Sequence, residues 1–160
     1  MSKAISKQAE GVLDANYVEV DKLPWVPFFG TEVKLCKVNP ISGQFIALMK
    51  APSGVALPPH VHHGIVIVYT VQGKWKYVEH DWVASQGDII YEPAASLHTF
   101  LAVPDQEEDA ILMNVIEGAL EFRGENDEIT YMLNWREALQ LYYNYCEENS
   151  IEILNIGQMK

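Results

Sequence analysis

The fold of this chain is decided by two segments, GVALPPHVHHG at residues 54–64 and YEPAASLHTF at residues 91–100. Together they hold four of the five histidines of the protein. His60 and His62 precede an apolar run, and side chains two residues apart in a strand project from the same face. His98 follows in a later strand-like segment. We therefore predict that His60, His62 and His98 supply three nitrogen ligands to one divalent metal ion.

The glycine and proline spacing around these histidines resembles the two motifs of the cupin superfamily. In the first motif, five residues separate Gly54 from His60, one residue separates His60 from His62, and Gly73 follows later. In the second motif, five residues separate Gly87 from Pro93, and His98 follows later. The alternative is that the histidines are ordinary polar residues at the mouth of a strand. The combined spacing favours the metal site.

The segments GKWKYVEHDWV at 73–83 and YEPAASLHT at 91–99 narrow the resemblance to the 2,4'-dihydroxyacetophenone dioxygenase branch of the cupins. The narrower resemblance covers roughly residues 58–100. It implies Fe(II), dioxygen and cleavage of a carbon–carbon bond in a small aromatic hydroxyketone. Val66 stands where the cupin motif has a metal-binding glutamate, which implies a site of three histidines alone. Ala95 replaces the glycine of the second motif, and we expect a tighter turn there.

These residues are compatible with more than one metal and with more than one function. Zinc, nickel and copper accept three imidazoles as readily as Fe(II), so the spacing does not name the metal. One alternative function is a dioxygenase that cleaves a β-diketone, which is similar in using three histidines. The other is a zinc-binding cupin that senses a ligand and catalyses nothing.

Two further side chains are candidate catalytic residues. Glu92 lies in an apolar segment, where a carboxylate is either buried, and so paired or protonated, or turned outward to water. The resemblance favours Glu92 as the residue that moves a proton beside the metal. Tyr77 would orient the substrate oxygen by its hydroxyl; the alternative is an ordinary core tyrosine. His63 would point to the opposite face of the strand from His60 and His62, so we do not expect it to be a ligand. His80, on the face opposite Tyr77, is expected at the surface or an interface.

Composition limits the class of protein. The chain has 160 residues, of which 49% are hydrophobic, so we predict one packed domain spanning residues 1–160. The net charge of −11 argues against nucleic-acid partners and anionic membranes, which both need a basic patch. The first residues lack the apolar segment of a signal peptide, and we expect a cytoplasmic protein.

Short strands between turn signals predict an all-β fold, and the resemblance implies the cupin jelly-roll barrel, a double-stranded β-helix, with its core at about 30–123. A C-terminal helix is predicted at about 134–148. The run 65–71 is apolar on both faces, which predicts a strand buried on both. The prolines at 23–30 predict an irregular loop. Apolar surface on the helix and on the terminal segment 151–156, which we expect to form a strand, predicts a homodimer or homotetramer.

Overall fold

The computed structural model describes residues 15–157, which form twelve β-strands and one α-helix. The predicted all-β fold with a C-terminal helix is confirmed. The strands are β1 (Val26–Phe28), β2 (Thr31–Val38), β3 (Phe45–Ala51), β4 (His60–His62), β5 (Val66–Gln72), β6 (Trp75–Tyr77), β7 (Ile89–Glu92), β8 (Leu97–His98), β9 (Phe100–Ala102), β10 (Ala110–Ile116), β11 (Leu120–Arg123) and β12 (Ile129–Leu133). A 3-10 turn, Val20–Lys22, precedes β1, and the helix α1 is Trp135–Glu148.

The strands form two larger antiparallel sheets and one two-stranded ribbon. The six-stranded sheet has the order β1-β2-β3-β10-β5-β7, and the four-stranded sheet has the order β12-β11-β4-β8. Strands β6 and β9 pair with each other. Buried residues of both larger sheets belong to one hydrophobic core, in which Val68 and Leu112 of one sheet join Leu120 and Phe122 of the other.

The proline-rich segment is more regular than predicted. Val26–Phe28 pairs with β2 although Pro27 lies in its centre. Strand β1 is at the edge of its sheet, and an edge strand tolerates proline because one side of its backbone has no ladder to complete. The prediction of an irregular loop there is wrong for this reason.

The helix begins and ends as its sequence predicts, whereas the tail behind it does not form a strand. The Asn134 side chain accepts hydrogen bonds from the N–H groups of the second and third helical residues. The tail is irregular and packs on its own chain. The N–H of Val38 donates to the carbonyl of Ile156, and the N–H of Leu154 donates to the hydroxyl of Tyr142. Ile156 is buried. In the described part of the chain, no helix is long and apolar enough to cross a membrane.

Candidate metal centre

The three histidines predicted as ligands lie side by side on two neighbouring strands. His60 and His62 are the first and last residues of β4, and the pairing of β4 with β8 sets His98 opposite His60. The ring centroids of His60 and His62 are 4.9 Å apart, and those of His62 and His98 are 6.2 Å apart. All three side chains are buried. The structure thus brings the three imidazoles into one cluster, and their binding of a metal ion stays a prediction.

Glu92 reaches this histidine cluster from the other sheet. It lies at the end of β7 in the six-stranded sheet, and only 2% of it is exposed. Its Oε2 is 2.9 Å from Nε2 of His62, which is close enough for an ion pair. No partner within residues 15–157 meets that oxygen with hydrogen-bond geometry. The sequence left open whether Glu92 is buried or projects into water, and in the structure it is buried.

Nearby oxygens engage one nitrogen of each imidazole. Nδ1 of His60 is 3.1 Å from the carbonyl oxygen of Pro58, and Nε2 of His98 is 2.8 Å from the hydroxyl of Ser96. Because a carbonyl only accepts, Nδ1 of His60 carries the proton and its Nε2 keeps a lone pair. The Nδ1 atoms of His62 and His98 are buried without a hydrogen-bond partner among the described residues. Such an atom costs about 1–3 kcal/mol, which a bound cation would offset.

Burial keeps the imidazoles of His60 and His98 uncharged. Burial first, and the neighbouring His62 second, lower the pKa of His60 to about 4. Burial also lowers the pKa of His98, against the opposite effect of the Glu92 carboxylate. At neutral pH both rings are therefore in the neutral form, which presents the lone pair that a metal ion needs.

Tyr77 packs flat against one of the imidazoles. Its ring centroid is 4.2 Å from that of His98, and the two planes differ by 15°. Strand β6, which carries Tyr77, continues beside the segment that follows His98, where the N–H of Val78 donates to the carbonyl of Thr99. This stack limits the orientation of the His98 ring. A role for the Tyr77 hydroxyl toward a substrate stays a prediction.

The other two histidines are not buried with the cluster. Nε2 of His63 is 2.7 Å from Oε1 of Glu121. His63 is partly exposed, in agreement with its position on the opposite face of the strand from His60 and His62. His80 is exposed, as predicted, but its ring centroid is 6.4 Å from that of Tyr77 and 6.2 Å from that of His98. The expected position of His80 opposite Tyr77 is wrong because β6 ends at Tyr77 and the chain then turns back.

An apolar cavity of about 100 Å³ lies beside the cluster, and residues of both larger sheets line it. Its polar wall includes His60, His62, Tyr77 and Glu92. Most of the remaining wall is apolar and includes Phe28, Leu57, Phe100, Leu112, Phe122 and Leu133. A ligand in this cavity would therefore meet the histidine cluster at one side and hydrocarbon elsewhere.

Sequence patterns did not point to Phe122, which also lies at this site. Phe122 lies opposite His60 in the pairing of β11 with β4, and their ring centroids are 5.2 Å apart. This pairing joins segments far apart in the chain, and no motif marks Phe122. Only the arrangement of the strands places it against His60.

Known proteins share both this fold and its sequence pattern. Residues 14–121 match the family described as the ChrR cupin-like domain. An RmlC-like cupin protein from Ralstonia eutropha is 36% identical and superposes with a TM-score of 0.87, over 92% of this chain and 96% of that chain. The chain belongs to the cupin family. No protein of curated function matches this cupin.

More distant structures share the fold of this cupin. An acetylacetone dioxygenase from Acinetobacter johnsonii is 20% identical, with a TM-score of 0.71 over 82% of this chain and 93% of that chain. The anti-sigma factor ChrR, in complex with SigE from Rhodobacter sphaeroides, is represented by a structure that is 18% identical, with a TM-score of 0.51 over 73% of this chain and 68% of that chain. At these identities the likeness shows the fold alone. The narrower resemblance to 2,4'-dihydroxyacetophenone dioxygenase stays a prediction.

The side chains of this cupin suit a divalent metal ion chemically, although their rings are not turned toward a common point. Within residues 15–157, no three His, Cys, Asp or Glu side chains are arranged to hold a metal ion. Ring orientation accounts for this, because Nε2 of His62 faces Glu92 and Nε2 of His98 faces Ser96. The χ2 torsion of an imidazole is broad, so the rings can turn without movement of the strands. The unpartnered Nδ1 atoms of His62 and His98 are the donors that such turning would bring to a metal.

The neighbouring strand also supplies a carboxylate where the first cupin motif lacks one. Val66 takes the position of the metal-binding glutamate, and the pairing of β5 with β7 sets Glu92 opposite Val66. Both side chains are buried on the inner face of the sheet. The site therefore has a carboxylate beside its histidines, although it comes from another strand than the motif provides.

The second departure from the motif, Ala95, is a strained position. Its φ is +66°, and its N–H donates to the carbonyl of His62 at 2.7 Å. A residue with a side chain is destabilised by about 1–2 kcal/mol in this left-handed backbone conformation, whereas glycine is not. Glycine also loses more conformational freedom on folding than alanine does, which offsets part of this gain. Ala95→Gly is therefore expected to stabilise the protein by about 1 kcal/mol in total. Calorimetry should show a Tm higher by about 2–4 °C for a chain of this size.

The matched control for this prediction is the preceding residue. Ala94 does not have a positive φ. Ala94→Gly is therefore expected to lower the Tm, because glycine only adds freedom to the unfolded chain there. A Tm of Ala95→Gly at or below that of the parent protein would contradict the account of strain.

Proposed function

We propose that this cupin is a non-haem, metal-dependent dioxygenase that cleaves a carbon–carbon bond of a small ketone. The observation that carries the proposal is the buried cluster of three histidines and one carboxylate, of which His60, His62 and Glu92 line an apolar cavity. His60, His62 and His98 would hold the metal, for which we favour Fe(II). Bound Fe(II) would polarise the ketone oxygens and supply the one-electron chemistry that dioxygen requires.

The size of the cavity supports one of the two substrate classes expected from the sequence over the other. Its volume is about 100 Å³. An apolar cavity of about 150 Å³ is known to hold a benzene ring. This cavity is smaller than that, so either ketone would need it to widen, and acetylacetone would need less widening than a dihydroxyacetophenone, which adds a side chain and hydroxyl groups to a benzene ring. The cavity therefore favours the β-diketone, and the likeness of fold to an acetylacetone dioxygenase agrees with this class.

The proposed reaction balances without a further reductant. In acetylacetone the bond between the central carbon and one carbonyl carbon breaks, and both atoms of dioxygen enter the products, acetate and methylglyoxal. The central carbon must first lose a proton. Glu92, buried beside the histidines, is the carboxylate placed to accept it. General-base help of this kind contributes about a hundredfold to ten-thousandfold in rate.

Oxygen uptake by the iron-loaded protein tests this function. Acetylacetone is expected to support uptake of one dioxygen molecule for each ketone molecule consumed. The larger 2,4'-dihydroxyacetophenone is expected to react more slowly. Faster turnover of the hydroxyketone would retain the dioxygenase and overturn the size argument. An absence of uptake with both ketones would overturn the proposed function.

A zinc-binding sensor without catalytic activity is the second candidate. The match of residues 14–121 to the ChrR cupin-like domain favours it. The same three histidines also suit zinc. Metal analysis of protein prepared without added metal separates the candidates. Stoichiometric zinc, with no oxygen uptake after exchange for iron, supports the sensor, whereas resident iron with uptake supports the dioxygenase.

A further inference from the structure

The outer face of the six-stranded sheet has a continuous apolar surface near its β7 edge. Ile67, Tyr69 and Val71 of β5 are 39%, 40% and 39% exposed, and Ile89 and Tyr91 of β7 are 66% and 60% exposed. The strand register sets Ile67 beside Tyr91 and Tyr69 beside Ile89. The five side chains therefore form one contiguous patch, which we call the β5–β7 face.

This face contradicts the expected burial of β5. The apolar run 65–71 predicts a strand that is buried on both faces. In the structure the burial alternates strictly along β5, with the inner residues buried and Ile67, Tyr69 and Val71 exposed. Residues 15–157 cover only the inner face of β5. The outer face has the composition of buried strand surface, and no segment within that range covers it.

The neighbouring strands extend the apolar surface and leave its edge open. Met113 and Val115 of β10 lie in register beside Tyr69 and Ile67 and are half-buried. None of these seven side chains is charged. Strand β7 is the last strand of the sheet among the described residues, so its outer backbone edge has no partner strand there. An edge strand whose outward side chains are hydrophobic and uncharged invites association with another chain.

We propose that the β5–β7 face is the interface of a symmetric homodimer. The exposed parts of its five side chains amount to on the order of 500 Å², near the upper end for an apolar patch on a monomer. Together with Met113, Val115 and the strand backbone, the face approaches the roughly 800 Å² per partner of a standard interface.

Charge favours a second copy of this chain as the partner. The face itself is uncharged, so it offers nothing complementary to a charged partner. The chain carries a net charge of −11, and two copies therefore associate best through a surface that keeps their acidic side chains apart. A twofold axis would bury the same apolar residues of both copies in one contact.

Light scattering after gel filtration tests the proposal. At micromolar concentration the parent protein is expected to have twice the 18.1 kDa mass of one chain. The double variant Ile67→Lys/Tyr91→Lys is expected to have the mass of one chain with an unchanged circular-dichroism spectrum. The control is Ile41→Lys, because Ile41 is 80% exposed in the turn between β2 and β3. This control is expected to keep the parent mass.

A parent protein of monomer mass overturns the proposal, and so does a dimer that persists in the folded double variant. A tetramer that the double variant reduces to a dimer supports the face as one of two interfaces. Hydroxyl-radical footprinting of the parent protein needs no variant. Tyr69 and Tyr91 are expected to be protected at high concentration and labelled on dilution, while Tyr17, 86% exposed, is labelled at both. Equal labelling of Tyr91 at both concentrations counts against the interface.

Discussion

His62→Ala is expected to abolish stoichiometric binding of Fe(II) or zinc. His62 has a central place in the cluster, with its ring centroid 4.9 Å from that of His60 and 6.2 Å from that of His98. Loss of a residue that only orients a ligand lowers metal affinity by about 10–100-fold, and loss of a ligand should lower it further. Metal analysis after dialysis measures the change. His60→Ala and His98→Ala are expected to behave in the same way.

The matched control is the adjacent histidine. His63 is held by Glu121 outside the cluster, so His63→Ala is expected to keep the metal content of the parent protein. Calorimetric titration of both variants with zinc gives the affinities directly. Stoichiometric metal in a His60→Ala/His98→Ala double variant would show that the ion binds elsewhere.

Glu92→Gln is expected to lower turnover of a verified ketone substrate by at least tenfold while metal content is unchanged. Glutamine keeps the size of the side chain but cannot accept a proton from the substrate. The expected loss is at the low side of the roughly hundredfold to ten-thousandfold contribution of a general base. The carboxylate lies 2.9 Å from the His62 imidazole and is buried, so bulk water is a poor substitute.

Glu121→Gln is the control for this variant. Glu121 lies on β11 and binds His63 and Arg123 outside the cluster, so the control is expected to keep the parent turnover. Steady-state kinetics with both variants over a range of pH separates the two roles of Glu92. If Glu92→Gln has the parent rate and the parent pH profile, Glu92 is structural and the base lies elsewhere.

The spacing of residues along the chain was enough to predict the three histidines of the site. The alternation of a strand put His60 and His62 on one face, and the second motif supplied His98. The position of Glu92 was not decided by sequence, because its orientation depends on which face of β7 meets the core. The pairing of β7 with β5, opposite Val66, fixes that orientation.

Features that depend on pairing between distant segments were missed. Strand β12 pairs with β11 and was not predicted, and β11 in turn brings Phe122 against His60. The strand through Pro27 forms because β1 is at an edge, a fact of sheet order that the sequence does not display. For the same reason the sequence showed that β5 is apolar on both faces, but not that the described part of the chain, residues 15–157, leaves one face exposed.

We propose that dioxygen cleaves a small ketone in this cupin, with His60, His62 and His98 as the metal ligands. The most direct test is mass spectrometry of the acetate formed when iron-loaded protein reacts with acetylacetone under labelled dioxygen. The expected result is acetate with one labelled oxygen atom, and no labelled acetate from the His62→Ala variant. Acetate formed without label would mean hydrolytic cleavage by water, and this result would contradict the account.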